Sequence, residues 1–282
     1  MYRGDPARNR ESDGGRPHMT ARWQARTANN HRVEQMLHNL RDAYQNHGIA
    51  LFPSVNPLAV GDVLVMRSTH KIIGVDFRTG KRIWNDVPDA SDSEYDAFVE
   101  SLNKAHGETV VPTQIQAMSQ RMWDDAIYGS LSSDGQIVYG VRQFPIGSES
   151  VQQSMVWGRV FLPGRLPGVQ NSLEWTGPTN RLTAFDLRTE GKRIWEIDGA
   201  DTGGPLAGAF FLGPPLPIDG RLYTLAEIQG GIQLVVIRPT DTWPRWELEW
   251  IQPLANLESG IIENPRRRLT GAVPSAQDGV LV

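Results

Sequence analysis

The sequence predicts a chain dominated by β-strands, assembled from repeated units and interrupted by helical insertions. Three observations lead there. A phrase recurs: "IIGVDFRTGKRIW" at 72–84 returns as "LTAFDLRTEGKRIW" at 182–195, with Glu190 inserted. A long-period recurrence of this kind marks a repeated structural unit, because one polypeptide has little use for two copies of the same active site. Each copy opens on a Gly or Asp-Gly turn followed by alternating apolar residues, the period of a half-buried strand. Finally, 28 Gly, 19 Pro and 9 Trp suit many short strands joined by turns and held by large aromatic side chains.

Composition narrows the function classes. The chain has 282 residues, enough for one large domain or two ordinary ones. With 28 Lys+Arg against 32 Asp+Glu the formal charge is −4, which gives no global attraction for nucleic acid or anionic lipid. Cysteine is absent, so disulfides, thiolate metal sites and cysteine nucleophiles are excluded. The first residues, "MYRGDPARNRESDGGRPH", lack the apolar core of a signal peptide, and no stretch reaches the roughly 18 apolar residues of a spanning helix.

Element by element, residues 1–57 form a lead-in. Within it, Val33, Met36, Leu37, Leu40 and Tyr44 fall on one face of a helix over 31–47, closed by Gly48. The first unit then runs "GDVLVMRSTHKIIGVDFRTGKRIW" (61–84), with Val63 and Val65 in a period-2 strand. An insert at about 86–127 follows, where Ser91 and Glu94 make a capping box with Tyr95, Phe98 and Leu102 on one face, predicting a helix over 91–105. A short helix is predicted over 114–124. The second unit starts at "DGQIVYGVRQF" (134–144), containing Val138. It breaks for a Gly-, Pro- and Ser-rich excursion at 145–179 and resumes at "NRLTAFDLRTEGKRIWEI" (180–197). The third is "DGRLYTLAEIQGGIQLVVIRPTDTWPRWELEW" (219–250), with Leu222, Tyr223 and Leu225 in its leading strand. "DGVLV" (278–282) begins a fourth.

Each residue of the recurring phrase has a physical job to do. Gly74, like Ala184, is small enough for a neighbouring sheet to come close. Asp76 and Asp186 end a strand, where a short carboxylate accepts hydrogen bonds from the N–H groups of the following turn. Thr79 and Thr189 supply hydroxyls, Gly80 and Gly191 tolerate positive φ, and Lys81 and Lys192 start the return strand. Trp84 and Trp195 then present a flat apolar surface with one N–H. The third copy departs: Arg238 stands where Asp is expected, the turn lacks Gly, and Trp250 alone completes the phrase. A longer, irregular hairpin is predicted there.

The phrase resembles the tryptophan-docking motif of the quinoprotein-like (PQQ-like) β-propeller repeat family, whose pattern is Ala, any residue, Asp, two residues, Thr-Gly-Lys, two residues, Trp. Gly74 to Trp84 matches except for Gly in place of Ala, and Ala184 to Trp195 matches after allowing for Glu190. "FLGPPLPIDGRLYTLAE" and the helical inserts look like large members of this family from planctomycete-type bacteria. The resemblance implies an all-β-dominated fold: an incomplete β-propeller, with tryptophan-docking blades over 58–282 and helical insertions. A propeller closes with about four to eight blades. Three copies and the opening of a fourth therefore imply a chain cut short at its C-terminus, with the missing blades belonging to a longer protein, or else blades that form an open arc or pair with another chain. The family is usually exported, so the resemblance also implies a periplasmic location.

The motifs hold blades together and carry no catalytic residue across. The expectation is a non-catalytic scaffold for protein partners, as in the propeller lipoprotein of the outer-membrane β-barrel insertion machinery, with no cofactor. The alternative is part of a dehydrogenase using pyrroloquinoline quinone with Ca²⁺, or a ligand-binding sensor. No EF-hand-like set of acidic ligands occurs. The six histidines show no metal spacing, and His31 and His38, two helical turns apart, read as solvent-facing. Asp124 and Asp125 point about 100° apart on a helix, which suits capping better than shared acid–base work. The arginines of "PRRR" (265–268) read as a solvated linker. Trp157 and Trp175, in the excursion, are the candidates for an exposed contact surface.

Overall fold

The computed structural model describes residues 20–28, 30–48, 54–69, 71–85, 99–100, 122–123, 125–142, 179–260, 264, 267 and 270–282. Helix α1 (His31–Asn46) begins where the stripe predicts. The side chain of Asn30 caps it, accepting from the N–H groups of Arg32 and Val33 at 2.8 and 3.2 Å. Val33, Leu37 and Leu40 are buried, and His31 and His38 face solvent. Of the helices predicted over 91–105 and 114–124, only 99–100 and 122–123 are described, and both pairs are helical. The excursion with Trp157 and Trp175 lies outside the described residues. A further single-turn helix, α2 (Ala126–Gly129), is capped by Asp125, whose carboxylate accepts from the Tyr128 N–H at 2.9 Å.

Three antiparallel sheets carry the repeat. The first runs β1 (Leu58–Val60), β2 (Val63–Arg67), β3 (Ile72–Asp76), β4 (Arg82–Asn85). The second runs β5 (Leu131–Ser133), β6 (Ile137–Arg142), β7 (Arg181–Asp186), β8 (Lys192–Asp198). In the third, β9 (Phe210–Phe211) and β10 (Leu216–Ile218) both pair with β11 (Arg221–Ile228), followed by β12 (Gly231–Pro239) and β13 (Trp246–Asn256). Pro214 and Pro215 lie between β9 and β10, where the missing N–H groups break the ladder. A two-stranded ribbon, β14 (Ala276–Gln277) and β15 (Val280–Leu281), follows. Strand order follows chain order, and among the described residues no sheet closes on itself.

Turn chemistry explains the register. Asp219 and Gly220 have φ of 49° and 74°, and Asp278 and Gly279 have 51° and 78°. Two successive positive-φ residues give the two-residue hairpin turn that matches strand twist. The opening of the fourth copy therefore repeats the turn that opens the third.

Two large apolar clusters among the described residues lie between sheets. Leu58, Val65, Ile72 and Trp84 of the first sheet meet Leu131, Val138 and Phe185 of the second. Tyr139, Leu182, Ala184, Trp195 and Ile197 of the second belong with Phe211, Leu222, Ala226, Val235 and Ile237 of the third. The leading strands β1, β5 and β10 adjoin in that order. Polar ties reinforce the stacking. Arg67, 1% exposed, lays its guanidinium 4.5 Å over the Tyr128 ring and donates to the carbonyl of Val141 at 2.6 Å. Ser132 donates to Pro215 O at 2.6 Å, and the Asn180 amide both donates to and accepts from the Phe211 backbone.

Candidate functional site

The docking residues occupy one rung in all three sheets. Val65 pairs with Gly74 and Gly74 with Trp84; Tyr139 pairs with Ala184 and Ala184 with Trp195; Tyr223 pairs with Val236 and Val236 with Trp250. A register shift follows each rung, at Gly74/Val75, Ala184/Phe185 and Val236/Ile237. The bulge twists the outer pair of strands at the same point in each copy. The third hairpin has a second shift at Ile232/Gln233 and no glycine between Pro239 and Trp246, and Arg238 there ion-pairs with Glu247 across the strands.

The space beside Gly74 is filled differently from the sequence expectation. A β-carbon there would sit 2.1 Å from Cε2 of Trp84, so the room serves the indole of its own sheet rather than a neighbouring sheet. The neighbour's part is played by Gly191, at φ 74°, whose added β-carbon would lie 2.2 Å from Cε3 of Trp84. Trp84 thus lies on its own Gly74 and on the turn of the following sheet, leaving 6% of its surface exposed. Trp195 is 5% exposed, with its ring 6.0 Å from that of Tyr139.

Trp23 makes the same contact one step earlier. Its ring would be 2.4 Å from a β-carbon on Gly80, at φ 71°, and its Nε1 donates to Phe77 O at 3.1 Å. Arg82 donates to Arg26 O and the Thr69 N–H to Thr27 O, which holds the segment against the first sheet. Sequence reasoning does not find Trp23, because 20–28 shows no period and the indole itself is the one signal.

The carboxylates beside the rung serve the backbone. Asp76 Oδ1 accepts from the Arg78 N–H, the Thr79 N–H and the Thr79 hydroxyl at 3.1, 2.7 and 2.7 Å. The Gly80 N–H donates to Asp76 O, and the Lys81 N–H reaches the Thr79 hydroxyl. Asp186 accepts from the Arg188 N–H at 2.8 Å and from its guanidinium at 2.9 and 3.0 Å, while Thr189 donates to Asp186 O. Glu190, the inserted residue, takes the left-handed conformation at φ 57° ahead of Gly191, and Lys192 begins β8 in solvent. The Thr79 hydroxyl bond holds the Asp76 carboxyl below the usual range, and the Arg188 side chain does the same for Asp186.

Other titratable groups are similarly engaged. The Tyr139 hydroxyl donates to Asp134 at 2.9 Å, and burial, then the Asp134 charge, pushes its ionisation far above the ordinary range. Arg267 departs from the solvated-linker reading. It reaches back to Glu227, 6% exposed, at 3.2 Å and to the Ser259 carbonyl, because Glu227 is buried on β11 and requires a partner. Among the described residues no three of His, Asp and Glu come together to hold a metal ion. No described helix is long and apolar enough to cross a membrane.

The described surface also exposes large apolar side chains on the third hairpin. Trp243, at the tip of the third hairpin, is 88% exposed, Trp250 is 41% exposed and Leu254 is 55% exposed. Comparison with protein-family models and with curated proteins gave no match.

Proposed function

We propose that this chain forms blades of a quinoprotein-like β-propeller and acts as a non-catalytic scaffold that presents hairpin tips and sheet edges to protein partners. The observation that carries the reading is how the recurring phrase is used. Both carboxylates cap turns, both buried tryptophans sit between sheets, and the third hairpin exposes two tryptophans, Trp243 and Trp250, to solvent. Tryptophan is among the residue types enriched where proteins bind proteins. Stacking of three sheets in chain order, with β1, β5 and β10 adjoining at one edge, supports the propeller architecture. Periplasmic residence belongs to the same proposal and rests on the resemblance of the phrase alone.

Two measurements test the reading. A photo-crosslinking residue at Trp243 captures a defined protein in the native cell, and one at exposed Gln35 on α1 does not. Titration with pyrroloquinoline quinone and Ca²⁺ gives no stoichiometric complex and no dye reduction. Tight quinone binding with turnover would replace the scaffold by an oxidoreductase.

A further inference from the structure

The second sheet buries a phenol beside an indole. Tyr139, 1% exposed, shares its rung with Ala184 and Trp195. Its ring lies 6.0 Å from that of Trp195, within the range of direct aromatic contact. Its hydroxyl donates to Oδ2 of Asp134 at 2.9 Å. Asp134 stands in the turn that opens the strand and is exposed to solvent. Its Oδ1 accepts from the N–H groups of Gln136 and Ile137 at 2.9 and 2.7 Å, which fixes the carboxylate and turns Oδ2 to the phenol.

The stacking of sheets does not require this arrangement. Val65 holds the same rung in the first sheet. Tyr223 holds it in the third, half-buried, and among the described residues its hydroxyl meets no carboxylate. The surroundings of Tyr139 are also rich in indole. Trp246 packs against the apolar cluster that contains Tyr139 and Trp195, and Trp243, shortly before it in the chain, is 88% exposed. Indoles thus lie at the exposed tip of the third hairpin, at the border of the cluster and within it, and the Asp134 carboxylate connects the buried phenol to water.

We propose that Trp195, Tyr139 and Asp134 form a one-electron relay, in which the hole left on tryptophan by a diffusible oxidising radical comes to rest on Tyr139 while the phenol proton passes to Asp134. The oxidant takes one electron from an indole. Trp195, as its cation radical, takes one electron from the Tyr139 ring and is restored. The Tyr139 O–H bond breaks, its proton forms a bond to Asp134 Oδ2, and a neutral phenoxyl radical remains. Indole cation radical, phenol and carboxylate thus become indole, phenoxyl and carboxylic acid, with charge and electrons conserved. Asp134 then returns the proton to water. Burial, then the Asp134 charge, holds the ionisation of the resting phenol far above its ordinary range, so the proton leaves with the electron rather than ahead of it. The relay draws oxidising equivalents away from the exposed indoles of the third hairpin, and it does not depend on the scaffold reading.

Pulse radiolysis of the full chain in azide solution tests the relay. The azide radical takes one electron from tryptophan and becomes azide anion, and tryptophan and phenoxyl radicals are then followed by their separate absorbances. The tryptophan radical is expected to decay into phenoxyl at a rate independent of protein concentration. Tyr139→Phe should abolish that phase. Asp134→Asn keeps an oxygen for the Gln136 and Ile137 N–H groups but offers the phenol no carboxylate, and should slow the phase about 100-fold. Heavy water should slow it in the parent chain, a readout that needs no variant to fold. A phase that survives Tyr139→Phe, that keeps the parental rate in Asp134→Asn or that ignores heavy water would overturn the proposal. Phenoxyl growth proportional to protein concentration would overturn it too, because the transfer would then run between molecules.

Discussion

A β-carbon at Gly74 would lie 2.1 Å from the Trp84 ring, whereas Ala184 holds a methyl group at the same rung of the second sheet. Gly74→Ala must displace a buried indole and is expected to cost about 1–3 kcal/mol. Ala184→Gly loses a buried methyl and loosens the unfolded chain, and should cost about 0.5–1 kcal/mol. Urea unfolding of both variants checks the asymmetry. The turn carboxylates give a pH signature. Folding holds Asp76 and Asp186 below the ordinary range, so the unfolded chain binds more protons as acid is added. Their contribution is complete above the unfolded value of about 4 and is lost as pH falls through the folded values. Carboxyl NMR titration should place both midpoints below about 3.9, and Asp186→Asn should flatten the acid limb of the Tm–pH profile. These roles are legible in the sequence because Asp, Thr and Gly act on backbone two to five residues away. The job of Gly74 is not, because the side chain it accommodates arrives from across the strand pair.

At the scale of the element, Trp84 and Trp250 hold the same place in their sheets and differ in what covers them. Trp84→Ala empties an inter-sheet site and should cost about 3–5 kcal/mol. Trp250→Ala removes a side chain from a residue that is 41% exposed and should cost under about 1 kcal/mol. Thermal unfolding followed by far-UV circular dichroism separates the two. Strands, their turns and α1 can be read ahead because period and cap are local signals. The short helix α2 escapes such a reading, since four residues carry no period. Arg67 also gives no sign of its role. Its guanidinium meets Tyr128 and Val141, the latter 74 positions away in the chain, and a strand pattern says nothing of such a partner.

For the whole molecule, the repeat predicts sheets stacked in chain order, and the inter-sheet clusters lie where that order requires. What the repeat cannot reveal is that the first sheet takes its tryptophan from the lead-in. Trp23 belongs to no recognisable copy, yet it occupies the turn at Gly80 as Trp84 occupies the turn at Gly191. Among the described residues, then, the turn at Gly80 is covered by Trp23, whereas Trp250 of the third sheet stays 41% exposed. The most direct measurement is a double-mutant cycle on Trp84→Ala and Gly191→Ala by urea unfolding. In the parent, Gly191→Ala is penalised by both positive φ and the indole; without the indole, the backbone penalty remains alone. The predicted coupling is about 1–3 kcal/mol. Additive single effects would mean that Trp84 and the Gly191 turn do not meet, and would contradict the stacking of one sheet on the next.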